Sequence, residues 1–175
     1  MIPTFRYHPD PIKTGAFLQG EDHICDCCGR QTDTWYEQPF YTEKDHVKCL
    51  CPECIASGRA AEKFNGSFQD EANVGEVSDP EKLDELVHRT PCYCSWQQEY
   101  WYAHCDDFCA FVGYVGWEDI VKMGIAQQIE KNYDEDICGF DFEDIKECMM
   151  NEGSMQGYLF RCLHCGEYFL YADCD

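Results

Sequence analysis

Positively charged residues are scarce in this sequence. Only 13 Lys and Arg stand against 34 Asp and Glu, which gives a formal net charge of −21 at pH 7. Nucleic-acid binding draws most of its affinity from cations that displace phosphate counterions, so this chain is expected to repel DNA and RNA. A basic protein partner is the better electrostatic match, because opposite fields steer an encounter. The competing interpretation is that the acids only keep the chain in solution.

Long apolar runs are also missing. The sequence contains no stretch of about 18 consecutive apolar residues, so no membrane-spanning helix is expected. Residues 1–9 lack the basic-then-apolar layout of a secretory signal. A cytoplasmic location is therefore expected, where thiols stay reduced and paired cysteines bind metal rather than form disulfides.

Cysteine, in contrast, is abundant, with 15 residues, and several of them form pairs separated by two residues. The pairs Cys25/Cys28 and Cys51/Cys54 each direct two sulfurs toward one ion, as in a tetrahedral zinc site. Gly29 follows the first pair and supplies the positive φ that a tight turn often requires. These four cysteines predict one zinc ion in an N-terminal zinc ribbon, and disulfides or free thiols are the weaker alternative.

A third pair, Cys162/Cys165 with Gly166 after it, predicts a second zinc site that needs two further ligands. His104 and Cys105 are the leading candidates, although neighbouring residues on a helix point about 100° apart and would share an ion only if the helix ended there. For His104 alone, a hydrogen-bonded core imidazole is the favoured interpretation. A C-terminal hairpin that is closed by packing, with free thiols, is the alternative to a second site. Other thiols remain candidates for the ligand set, namely Cys92, Cys94, Cys109 and Cys174.

The pattern of side chains predicts several short elements. Ser78-Asp79-Pro80-Glu81 is a helix start, and Thr90-Pro91 ends that helix. Trp96, Tyr100 and His104 recur at helical spacing, and Ser95 with Gln98 forms a capping box, so a helix is predicted from Ser95 to Cys105. Three further segments are predicted: a short helix over 55–64, a single amphipathic helix over 118–132, and a strand, knuckle and strand over 158–171.

Together these elements predict an α+β protein. Residues 1–64 would form the N-terminal segment with the zinc ribbon, and residues 65–175 would form a mixed helical and strand domain that ends in a β-hairpin zinc knuckle. At 175 residues the chain also fits one compact unit. The oligomeric state is left open.

Four segments together resemble the CbrC family, and the match runs nearly end to end. The segments are Phe5 to Pro11, Cys25 to Gly29, Cys51 to Gly58, and Trp96 to Trp101 continuing through His104 to Asp107. That family is associated with tolerance to a nuclease colicin in enteric bacteria. The resemblance implies a bacterial cytoplasmic protein and a role in toxin protection, and it carries over no catalytic residue.

These observations favour a zinc-stabilised cytoplasmic binding protein that protects against a basic, nuclease-type toxin. The alternative is a zinc- or cysteine-dependent enzyme centred on His104 and Cys105, since Asp106 and Asp107 add the orienting carboxylates such a site needs. Sequence neighbours rarely meet that geometry, so no catalytic residue is assigned. A deep pocket beside residues 96–107 would favour the enzyme, and a broad acidic face would favour the binding protein.

Overall fold

A computed structural model describes residues 2–175 and shows an α+β chain built from short elements, which confirms the predicted fold class. The strands form three antiparallel sheets with the orders β1-β2, β3-β4 and β5-β6-β7. The elements in chain order are β1 (Phe17–Ile24), β2 (Gln31–Tyr36), α1 (Pro52–Ala56), α2 (Arg59–Phe64), α3 (Pro80–Arg89), β3 (Ala103–His104), β4 (Asp107–Phe108), β5 (Ala110–Val115), α4 (Trp117–Lys122), α5 (Ala126–Asn132), α6 (Glu135–Cys138), α7 (Phe142–Cys148), β6 (Met155–Arg161) and β7 (Tyr168–Cys174).

The three-stranded sheet is buried on both faces, and its side chains alternate between two cores. Tyr158 and Phe160 of β6 lie in an aromatic core, whereas Leu159 between them faces an aliphatic core under the helices that follow β5. This alternation is the period of two that a pleated strand imposes. The aromatic core also contains Trp101 and Phe111, both fully buried.

A separate core surrounds the first group of cysteines. Phe17, Tyr36 and Phe68 form a chain of edge-packed rings there. This core also contains Cys92, and the aromatic core contains Tyr7. The division of the chain at residues 64/65 stays a prediction.

The predicted helix from Ser95 to Cys105 is wrong, because residues 93–102 form no helix. Backbone N–H groups in this segment are bound by side chains of the sheet: Trp96 N donates to Tyr158 Oη and Gln97 N donates to Asp173 Oδ2. A backbone donor that is satisfied from outside is no longer available for the helical ladder. The helical spacing of the rings therefore reflects separate burial sites and not one helical face.

The predicted helix over 118–132 is interrupted. α4 ends at Lys122 and α5 begins at Ala126, with Gly124 between them at φ +71°. Only glycine adopts such a φ at low cost, so this residue ends α4. Gly58 at φ +73° divides the predicted helix over 55–64 into α1 and α2 in the same way.

Other predictions are confirmed. α3 spans Pro80–Arg89, and its N-cap Asp79 accepts a hydrogen bond from Glu81 N at 3.0 Å. The C-terminal hairpin consists of β6 and β7 in register around the Cys162/Cys165 turn. Within residues 2–175, no helix combines the length and the apolar character needed to cross a bilayer.

The N-terminal segment is fastened to the rest of the chain by a buried histidine. His8 is fully buried, with Nδ1 2.8 Å from Pro91 O and Nε2 2.6 Å from Thr14 Oγ1. Its ring packs edge-on against Phe111. Pro91 O can only accept, so Nδ1 carries the proton and Nε2 accepts from the threonine hydroxyl. Burial opposes the charged form and lowers the pKa of His8 to about 4.

This shift makes stability depend on pH. Because the folded pKa lies below the ordinary value of about 6.5, the unfolded chain binds the extra proton first, and stability falls as the pH drops from about 6.5 toward 4. At pH 5 the loss due to this group is about 2 kcal/mol relative to pH 7.5. His8→Asn, which has no titrating group, should lose that much less between the two pH values. Urea unfolding of both proteins at pH 7.5 and pH 5.0 measures the difference, and equal losses would contradict the assignment.

Candidate metal centres

The first centre begins at the turn between β1 and β2. Cys25 and Cys28 lie in this turn, and Gly29 follows at φ +71°. Cys25 N donates to Arg30 O at 2.9 Å, and Gly29 N donates back to Cys25 O at 2.8 Å. These two bonds curl the chain so that both sulfurs face the same side.

The second pair of this centre lies in the first turn of α1. Cys51 is the N-cap residue, Pro52 begins the helix and Cys54 follows one turn later. Leu50 and Tyr36 exchange backbone hydrogen bonds, which place the start of α1 beside the end of β2. This β-bridge brings Cys51 and Cys54 close to the turn that carries Cys25 and Cys28.

The four sulfurs of Cys25, Cys28, Cys51 and Cys54 lie within 4.8 Å of one another. Cys28 Sγ and Cys51 Sγ are 3.8 Å apart. Four thiolates at about 2.3 Å from a zinc ion in tetrahedral geometry would be roughly 3.8 Å apart, so this spacing is compatible with zinc.

The surroundings of the first centre favour negatively charged sulfur. Arg30 Nε donates to Cys28 Sγ at 3.4 Å, and Arg59 Nη2 donates to Cys54 Sγ at 3.6 Å. Burial opposes ionisation of Cys28, but the hydrogen bonds from Arg30 outweigh it and lower the pKa of that thiol to about 6. At Cys51 burial prevails and raises the pKa to about 12. A bound cation would offset that cost, because thiolates are the form that binds metal.

The second centre begins at the two-residue turn between β3 and β4. Cys105 and Asp106 occupy this turn at φ +55° and +54°, the pair of positive angles typical of a type I′ hairpin. Asp106 stabilises the turn because its carboxylate accepts hydrogen bonds from Ser78 N and Ser78 Oγ. His104 ends β3 and Cys105 begins the turn, so the 100° separation of neighbouring helical residues does not apply and both side chains reach the same centre.

The other half of this centre is the turn between β6 and β7, and it repeats the backbone pattern of the first turn. Cys162 N donates to Glu167 O at 2.8 Å, and Gly166 N donates to Cys162 O at 3.1 Å. Gly166 has φ +76°, close to that of Gly29. The same C-x-x-C-G pattern thus forms the same turn in two separate parts of the chain.

The ligand atoms of His104, Cys105, Cys162 and Cys165 also lie within 4.8 Å of one another. His104 Nδ1 is 3.3 Å from both Cys105 Sγ and Cys165 Sγ, and so it faces the sulfurs and not the core. Partial desolvation, together with the neighbouring thiols of Cys162 and Cys165, raises the pKa of Cys105 to about 11, although its side chain is exposed. Burial acts the same way on Cys162, but hydrogen bonds from the knuckle backbone and His104 prevail and lower its pKa to about 6. One imidazole and three thiols form a further set of four ligands compatible with zinc.

Asp107 links this second centre to the N-terminal segment. Its Oδ1 accepts from Tyr7 Oη at 2.7 Å and from Phe108 N at 2.9 Å, while Oδ2 lies 2.9 Å from His164 Nε2. Arg6 Nη1 lies 3.4 Å from the same Oδ2. Burial alone would raise the pKa of Asp107, but these donors and cations keep it below its usual value. Neither the role of His164 nor this network is predictable from the sequence, because its members lie far apart in the chain.

The remaining cysteines lie outside both sets of four ligand atoms. Cys92, Cys109 and Cys138 are buried, and Cys92 Sγ donates to Gln69 Oε1 at 3.0 Å. Cys94 and Cys148 are exposed. Three others are partly buried, namely Cys27, Cys49 and Cys174. The other candidate ligands of the second centre, namely Cys92, Cys94, Cys109 and Cys174, are therefore not part of it.

A wide groove lies beside the three-stranded sheet. It has a volume of about 1020 Å³ and is lined by the edge strand β5, by Trp96 and by residues of α4. Neither His104 nor Cys105 is among its lining residues.

Replacing the carboxylate of Asp107 tests its linking role. Asp107→Asn presents an amide N–H₂ to donors, so about 1–3 kcal/mol of stability should be lost. The zinc content should not change, because Asp107 is not a ligand. Asp144→Asn, at an exposed acid of α7, is the control and should be neutral within about 0.5 kcal/mol. Urea unfolding measures both, and an Asp107→Asn protein as stable as wild type would show that the network contributes nothing.

Comparison with known proteins supplies the family. A model described as "Uncharacterised protein family (UPF0167)" matches residues 2–174. The UPF0167 protein Mb2317 of Mycobacterium bovis is 36% identical over 178 residues, covering 98% of this chain and 93% of the relative. The UPF0167 protein PA1536 of Pseudomonas aeruginosa is 34% identical over 170 residues, covering 95% and 93%. No solved structure matches this chain. With a family match and relatives that both extend over almost its whole length, the chain belongs to the UPF0167 family.

Proposed function

We propose that this protein is a zinc-stabilised binding protein whose acidic surface receives a basic protein partner. The proposal that zinc stabilises the protein is supported by two sets of four ligand atoms, in each of which the atoms lie within 4.8 Å of one another. Catalytic zinc sites keep one position open for water, whereas structural sites are closed by four protein ligands. Four protein ligands at each centre therefore favour a structural role for zinc.

The same argument weighs against the enzyme centred on His104 and Cys105. A nucleophilic thiolate needs an imidazole that acts as its base, but here His104 Nδ1 faces two sulfurs at equal distances of 3.3 Å. The wide groove contacts residues 96–107 only at Trp96 and is lined by neither His104 nor Cys105, so it does not support an enzyme centred on those two residues. No observation favours the enzyme over the binding protein.

The second half of the proposal is carried by an acidic helical segment, residues 130–147. Its eight acids are all exposed, and only two lysines accompany them. The acids are Glu130, Asp134, Glu135, Asp136, Asp141, Glu143, Asp144 and Glu147. Lys131 and Lys146 already pair with carboxylates, of Glu167 and Glu143. Such a surface attracts a cationic protein and repels nucleic acid.

The nature of the partner follows from the resemblance to the CbrC family. That resemblance implies protection against a nuclease colicin, and a DNase domain must be basic to bind DNA. A cytoplasmic location fits both this role and the thiol chemistry, because thiols stay reduced there and remain available to bind zinc. Toxin protection through direct binding is thus the specific form of the proposal.

Zinc content tests the first half. Elemental analysis of unoxidised protein should find two zinc ions per chain. Cys51→Ser should remove one ion and lower the melting temperature, because small metal modules lack the core to fold alone. Cys162→Ser should remove the other. Cys148→Ser, at an exposed cysteine outside both centres, should keep both ions. Protein without zinc, or a Cys51→Ser variant with unchanged melting, contradicts the proposal.

Binding to a basic nuclease domain tests the second half. Calorimetry at low salt should detect a complex, and raising the salt should weaken it, because screening reduces charge attraction. Neutralising three acids of the helical segment (Asp136→Asn, Asp144→Asn, Glu147→Gln) should weaken binding several-fold. The control neutralises three exposed acids outside the helical segment (Glu21→Gln, Glu43→Gln, Asp45→Asn), which changes net charge equally. No binding at low salt refutes the partner, and equal weakening by both triple variants refutes the surface.

A further inference from the structure

The two centres differ in how well their sulfurs are protected from solvent. In the first centre Cys25, Cys51 and Cys54 are buried, each at most 2% exposed. In the second centre only Cys162 is buried, whereas Cys105 and Cys165 are exposed. Both exposed sulfurs lie in turns, one between β3 and β4 and the other between β6 and β7. An oxidant in solution therefore reaches the second centre first.

The sulfurs of the first centre also receive more hydrogen bonds than those of the second. The first centre receives N–H bonds from two guanidinium groups, Arg30 to Cys28 and Arg59 to Cys54, and from Cys51 N to Cys25 Sγ at 3.3 Å. Once a thiolate is bound to zinc, donors of this kind withdraw charge from the sulfur and lower its nucleophilicity. In the second centre His164 N donates to Cys162 Sγ at 3.4 Å. Within residues 2–175, no nitrogen other than the ligand atom His104 Nδ1 is hydrogen-bonded to Cys105 Sγ or Cys165 Sγ.

We propose that Cys105 and Cys165 are a site of oxidation by peroxide, at which a disulfide forms and the second centre releases its metal ion. This inference rests on the proposal that both centres hold zinc. The two sulfurs lie within 4.8 Å of each other and belong to turns that are exposed, so they reach bonding distance by a local movement.

The reaction is balanced with hydrogen peroxide as the oxidant. One thiolate attacks the O–O bond, which breaks as an S–O bond forms, and the hydroxide that leaves takes a proton to become water. The second thiolate then attacks the sulfenic sulfur, the S–S bond forms, the S–O bond breaks and a second hydroxide takes a proton. Two electrons pass from sulfur to peroxide. The disulfide sulfurs are weak ligands, so Zn²⁺ leaves.

Release of zinc under limiting peroxide tests the inference. Zinc is first counted by elemental analysis, and its release is then followed with the indicator 4-(2-pyridylazo)resorcinol. One equivalent should appear about tenfold or more faster than the other, because thiolate reactivity follows exposure and microenvironment. Alkylation of free thiols followed by peptide mapping should find a Cys105–Cys165 disulfide. Release of both ions at one rate, earlier release from the first centre, or a Cys162–Cys165 disulfide overturns the inference.

Variants separate this result from the proposed function. Cys105→Ser should contain one zinc ion and lose the fast phase. The double variant Cys94→Ser, Cys148→Ser removes exposed thiols outside both centres and should keep both phases. Arg30→Ala with Arg59→Ala should hasten the slow phase alone, and an unchanged slow phase would refute the role given to the N–H donors. Protein that contains no zinc refutes the proposed function, whereas two ions released together refute only this inference.

Discussion

Convergence of sulfur ligands from distant segments is the constraint on which this structure depends. α1 has five residues, β3 and β4 have two each, and such pieces have little stability of their own. The first centre joins the β1–β2 turn to α1, and the second joins the β3–β4 turn to the β6–β7 turn. Each centre thereby links at least one element that is too short to be stable alone.

The aromatic core and the second centre depend on each other through Asp107. Its carboxylate accepts from Tyr7, which packs edge-on against Phe108 in that core, and it also contacts His164 inside the knuckle. A buried carboxylate is costly unless donors surround it, and here donors from three segments do so. The N-terminal segment, the β3–β4 hairpin and the C-terminal hairpin consequently meet at one side chain.

The sequence was informative where the chemistry is local. The two CxxC pairs that are followed by glycine correctly predict the turns at Cys25–Cys28 and Cys162–Cys165. Asp79 and Pro80 correctly predict the start of α3. The segment from Ser95 to Cys105 could not be placed in this way. Its rings recur as on a helix, but its N–H groups are bound by Tyr158 and Asp173, 62 and 76 residues away. The network around Asp107 was hidden for the same reason, since Tyr7 is 100 residues away.

The long separations around the N-terminal segment have a consequence for synthesis on the ribosome. His8 is fixed by Pro91, 83 residues later, and Tyr7 by Asp107, 100 residues later. The second centre needs Cys165, which lies ten residues from the C-terminus. A nascent chain can close its first cysteine cluster early, but its first residues have to wait for partners that emerge much later. Tyr7 and His8 can be buried only after Pro91 and Asp107 have been synthesised, so the aromatic core cannot close around the N-terminal segment before then.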